Sequence, residues 1–336
     1  MNEPASRDTR LAVLDGWRGV SILAVLATHL LPLGPKSWQL NETFGPLGMA
    51  LFFTLSGFLI TRFLLHHDSI GDFLIRRFFR VIPLAWLAML VALTLTNAPG
   101  SYYLPNFLFY ANLPPQHLTE VASHLWSLCV EMQFYVGIAF VVGLLGRRGL
   151  FLIPAVCLAV TVHRIWEGAH VDVVTWRRVD EILAGAMLAM AFEGRFGPLA
   201  ARCFSRVNAY VWLVLLVVSS HPAGGFMNYL RPYIAAMLVG ATLFSPPPRL
   251  SKLLQTRSLA YIATISYALY IIHHLLVFTW LGEGERLARY LKKPLLIAAS
   301  FALAHVSTFY FEHRWIAAGK RLSALLAQRR AAKAMP

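Results

Sequence analysis

The sequence predicts an all-α, polytopic integral membrane helical bundle of about ten transmembrane helices, with both termini cytoplasmic. Composition carries the first part of that prediction: hydrophobic residues make up 57% of the 336 and charged residues only 14%. A soluble domain carries about 25% charged residues. Mean hydropathy is +0.58. Apolar runs recur near 11–31, 45–65, 80–97, 124–145, 150–163, 179–193, 208–220, 229–245, 258–281 and 294–313. Each is of spanning or near-spanning length, and no polar block is large enough to form a separate soluble domain.

The first run, from Leu11, reads LAVLDGWRGVSILAVLATHLLP. Residues 1–10 are polar and no small-residue cleavage site follows, so this run is expected to be a retained span and not a removed signal peptide. It carries Asp15, Arg18 and His29. Ionisable groups within a span are costly to bury and mark functional sites. At about 100° per residue, Arg18 and His29 return to within roughly 20° of one direction, about 16 Å apart along the helix. They share a face at two depths.

With the N-terminus inside, most of the 30 Lys and Arg fall on the cytoplasmic side, including Arg62, Arg76, Arg77, Arg80 and a cluster from Arg314 onward. Arg164, Arg177, Arg178 and Arg231 fall on the outer side in this count, while the 97–123 loop has no Lys or Arg. Topology thus accounts for the net charge of +14, and nucleic acid is not an expected partner; membrane lipids are. Cys129, Cys157 and Cys203 are scattered, with neither metal-ligand spacing nor a disulfide framework. Residues 1–313 read as one membrane domain. The basic tail 314–336 carries Trp315, Ile316, Leu322, Leu325 and Leu326 at helical spacing, as an interfacial helix or a topology anchor does.

Polar residues recur inside the later runs. FFTLSGFLIT, from Phe52, places Ser56 and Gly57 where small residues admit a neighbouring helix. Arg77 and Arg80 are i and i+3, so they share a face, and two guanidinium forks match phosphate oxygens. HLWSLCVEMQFY, from His124, holds Ser127, Glu131 and Tyr135. Glu131 is a carboxylate that can orient the His29 imidazole as a general base, or pair with Arg18 to join two helices. By the run directions, Glu131 and His29 are expected in the outer half of the membrane and Arg77 and Arg80 at its inner mouth. Arg178, Asp180 and Glu181 open a further run above Gly185, and Tyr270, His273 and His274 lie at i, i+3 and i+4 on another. There is no HExxH, P-loop or Gly-x-Ser-x-Gly element, so no metal is expected.

LDGWRGVSILAVLATH, FFTLSGFLIT, RRFFRVIP, HLWSLCVEMQFY, RVDEILAG and ISYALYIIHH, in this order, resemble the acyltransferase family 3 membrane proteins. The resemblance covers most of the chain. It implies a multi-pass protein of the bacterial inner membrane that acylates surface polysaccharide, lipopolysaccharide or a related glycan or glycolipid. The implied acyl donor is an acyl-CoA, usually acetyl-CoA, as co-substrate. It implies catalytic weight on His29, Glu131 and Arg18 and donor binding by Arg77 and Arg80. Asp15, Ser127, Tyr135, Arg178, Asp180, Tyr270 and His273 are expected to bind substrate or support the site. The resemblance departs at Phe311-Glu312-His313-Arg314, where relatives often have a Glu-x-Pro ending, so little is carried over for Glu312. No segment matches the extracytoplasmic hydrolase-like domain that some relatives append. Two other readings are a cytoplasmic small-molecule acceptor such as a macrolide, and a transporter or flippase that uses the same intramembrane charges.

Overall fold

The computed structural model describes residues 7–67 and 69–334; residues 1–6, 68, 335 and 336 of the expected segments 1–313 and 314–336 lie outside the described residues. The described chain is helical throughout, with no strand. In order come α1 (Arg7–Leu30), α2 (Leu40–His66), α3 (Ile70–Leu95), α4 (Tyr103–Phe107) and α5 (Trp126–Leu145). They are followed by α6 (Ile153–Trp166), α7 (Asp180–Phe192), α8 (Gly197–Ser205), α9 (Ala209–Ser220) and α10 (Met227–Phe244). The last are α11 (Pro248–Leu254), α12 (Arg257–Val277), α13 (Arg286–Val306) and α14 (His313–Ala334), and a π-helical segment, Ser307–Glu312, joins α13 to α14.

Every one of the apolar runs read from the sequence lies on a helix. By length and composition, however, 6 stretches can cross a membrane, or up to 7 if α7 and α8, bent by 109°, count as one span. About ten spans were expected, and six to seven meet this criterion among the described residues. Length accounts for two of the runs: α7 has 13 residues and α9 has 12, against about 20 for a straight crossing. The runs 124–145 and 150–163 also merge into one apolar stretch, Ser123–Trp166.

The described residues form two compact units. One holds the residues up to Arg62 together with Phe151–Tyr270, and the other Phe63–Leu150 together with the residues from Ile271. In the first unit α2 and α7 cross backbone to backbone. A Cβ on Gly57 would strike the carbonyl of Ile182, and one on Gly185 would strike the Thr54 carbonyl. The small residues at these positions therefore set how closely the helices approach.

In the second unit α3 is the central element. Ser69 caps it by accepting a hydrogen bond from the Asp72 amide at 3.2 Å. One face buries Ala85, Ala88, Met89 and Ala92, while Leu87, Leu90, Val91 and Leu95 are exposed. A helix that is apolar on both faces suits a hydrocarbon surround. α14 lies along α3: Gly319 abuts Phe79, the Trp315 and Phe79 rings are 6.4 Å apart, and Arg76 donates to Ser323 at 3.4 Å. The tail helix is therefore packed against protein on this side, with Leu322 and Leu325 left exposed.

Candidate functional site

In the first unit, Asp15 is exposed and Arg18 half-buried on α1. With Leu55, Leu59 and Arg62 of α2 they line a pocket of about 300 Å³. Arg62 donates from Nε to Glu193 at 2.8 Å, which fixes its side chain at the pocket rim. His29 is exposed in the last turn of α1. Tyr270, expected to bind substrate or support the site, is buried and stacked on Phe52 with ring centres 6.2 Å apart.

The same unit contains a buried charge cluster. Asp180 accepts from Arg164 and also from Thr161 at 3.2 Å. Glu181 is bridged by Arg231 at 2.9 Å and by Arg178 at 3.4 Å. Backbone carbonyls take further donors: Arg164 reaches His170 at 3.1 Å, and Arg231 reaches His170 at 3.2 Å and Ser219 at 3.3 Å. Arg164, Arg231, Asp180 and Glu181 are each 0% exposed. In the adjoining loop Arg177 spans Asp172 and Glu167, and the Asp172 hydrogen bond, with both carboxylates' charge, holds its guanidinium above the ordinary value.

Arg178 and Asp180 thus sit in a closed ion-pair network. Arg164 and Arg231, counted on the outer side by charge alone, are also buried members of that network. Arg231 lies within an apolar run, as Arg18 does, and the same rule that singles out Arg18 applies to it. Arg164 stands at the edge of its run, and only its partner 16 residues on reveals its place.

In the second unit Arg77 and Arg80 project from α3, and both are half-buried. Arg77 lies over the Tyr135 ring at 5.8 Å, and the Tyr135 hydroxyl donates to Glu131. Phe73 packs edge-on against Tyr135, with ring centres 5.9 Å apart. The charged neighbours of Arg80 are Arg77, Glu312 and Glu131. Yet neither Arg77 nor Arg80 makes a hydrogen bond or an ion pair among the described residues. Guanidinium forks with open donors are chemically suited to accept an anion's oxygens.

The expected separation of Glu131 from the two arginines is corrected here. Arg77 and Arg80 lie about 10 and 15 Å into α3, at 1.5 Å per residue from Ile70. That depth brings them to Glu131 and Tyr135 on α5. Ser127, also on α5, hydrogen-bonds the His124 carbonyl at 3.4 Å. His273 is 0% exposed, in a ring cluster with His124 and His274. His274 hydrogen-bonds the Glu120 carbonyl and Ser123, each at 3.3 Å.

A family model described as "Acyltransferase domain" matches residues 11–317. The chain is 27% identical to the peptidoglycan O-acetyltransferase OatA of Listeria monocytogenes, over 89% of this chain and 54% of that protein. It is 25% identical to the O-acetyltransferase OatA of Staphylococcus aureus, over 78% of this chain and 49% of that protein. The chain therefore spans about half the length of these curated relatives. No solved structure matches.

Proposed function

The chain belongs to the acyltransferase domain family, and from that premise we propose that it is a multi-pass membrane O-acetyltransferase. In this reading it moves an acetyl group from acetyl-CoA to a hydroxyl of a cell-surface glycan. The observation that carries the donor assignment is the open Arg77–Arg80 pair. Coenzyme A brings phosphates, and guanidinium forks with free donors match them. Tyr135, held by its hydrogen bond to Glu131, fixes the direction of the Arg77 guanidinium.

The acceptor assignment draws on the Listeria relative, whose printed activity is on peptidoglycan. A surface glycan implies the bacterial cytoplasmic membrane, with both termini inside and the transfer directed outward. His29 serves as the general base or as the carrier of the acetyl group. As base it takes the acceptor hydroxyl's proton while that oxygen bonds the acyl carbon. The carbon–sulfur bond then breaks, and the proton passes to the departing thiolate of coenzyme A. Arg18 stabilises the oxyanion formed on the thioester carbonyl.

The test is label transfer from [14C]acetyl-CoA to peptidoglycan fragments by the purified chain in lipid nanodiscs. Wild type is expected to label the glycan, and His29→Ala to abolish labelling while retaining acetyl-CoA binding. A fully active His29→Ala protein contradicts this mechanism.

A further inference from the structure

Glu312 lies in the π-helical segment Ser307–Glu312, which packs on α3. Its carboxylate is buried and accepts two hydroxyls on the same oxygen, Ser307 at 3.3 Å and Thr308 at 3.1 Å. The first of these bonds depends on the π-turn. In an α-helix, residues five apart are rotated by about 140° and do not face one another. The wider i→i+5 winding of a π-helix brings them onto one side. Ser307, Thr308 and the widened turn therefore act together to hold one carboxylate in a segment that packs on α3.

That carboxylate is an electrostatic neighbour of Arg80 and makes no ion pair with it. Two guanidiniums side by side in a partly buried site repel each other, and a nearby negative charge offsets that cost. A carboxylate clamped by hydroxyls does so without occupying the guanidinium's donors. The same charge repels an anion seated on Arg77 and Arg80. An opposing unit charge at several ångströms in a partly buried site changes affinity by about tenfold.

We propose that Glu312 is the resident counter-charge of the Arg77–Arg80 pair: it stabilises the empty site and weakens the hold on the coenzyme A phosphates, so that spent coenzyme A leaves. Glu312 is a positioning and tuning residue and does not touch the reacting atoms. The assignment rests on the donor reading given above for the two arginines.

The experiment measures coenzyme A binding to the full chain in nanodiscs, with steady-state kinetics alongside. Glu312→Gln keeps an acceptor for both hydroxyls and removes the charge. It is expected to bind coenzyme A about tenfold more tightly, with KM for acetyl-CoA and kcat both lowered because product release slows. Glu312→Asp restores the charge and returns both constants toward wild type. Thr308→Val gives the opposite sign: a carboxylate released from its clamp swings to Arg80 and weakens coenzyme A binding. Unchanged or weaker binding in Glu312→Gln overturns the assignment, as does unchanged or tighter binding in Thr308→Val if Glu312→Gln does not fold. Failure of the underlying donor reading is distinguishable, because only then does R77Q/R80Q bind coenzyme A like wild type.

Discussion

In the first unit three buried arginines, Arg164, Arg178 and Arg231, meet two carboxylates and a set of backbone carbonyls. In the second unit Arg77 and Arg80 stand side by side with open donors and partial solvent access. Both groups are guanidiniums within an apolar protein, yet their surroundings answer different needs. The first cluster is fully buried, with three guanidiniums set against two carboxylates in ion pairs that lie within one unit, and breaking a buried pair is costly. In the second, Arg77 lies over Tyr135, whose hydroxyl donates to Glu131, and in the donor reading proposed above the anion is a coenzyme A phosphate.

The largest effect that can break this contrast is on stability. Arg231→Met removes the shorter of the two ion pairs to Glu181, which is 0% exposed, and leaves it only Arg178 at 3.4 Å; breaking this buried pair is expected to destabilise by about 3 kcal/mol. The readout is the unfolding midpoint in detergent. A variant as stable as wild type would move this cluster out of the structural class. A smaller effect is expected on the open side. Tyr135→Phe keeps the ring beneath Arg77 but removes the hydroxyl that Glu131 accepts. Loss of one hydrogen bond to a buried charged group is expected to cost about 1–3 kcal/mol, divided between stability and acetyl-CoA affinity. Calorimetric titration with acetyl-CoA reads the affinity share. An affinity equal to wild type would remove Tyr135 and Glu131 from the support of the arginines.

Much of this contrast was legible one helix at a time. Arg77 and Arg80 share a face because they are i and i+3, and Gly57 and Gly185 mark a close crossing because they lack side chains. The partners across helices were not legible. Glu181 and Arg231 are 50 residues apart, and no periodicity links them. Arg164 and Arg231 were therefore counted only by their side of the membrane. The Ser307–Glu312 contact was not legible either, because that spacing is wrong for an α-helix and becomes a contact only in the π-turn. Depth misled for a related reason. The position of a residue within its own run does not say where a neighbouring helix begins, so Glu131 read as distant from Arg77 although Tyr135 joins them.

The claim that Arg77 and Arg80 are open for an anionic donor is tested most directly by acetyl-CoA binding to R77Q/R80Q, measured together with its unfolding midpoint. Losing two charge-assisted contacts is expected to cost about 2–5 kcal/mol, or tens- to thousands-fold in affinity. The unfolding midpoint should stay near wild type, because no protein group loses an ion pair. Unchanged affinity would contradict the account. So would a collapse of the folded state, which would place Arg77 and Arg80 with the closed cluster after all.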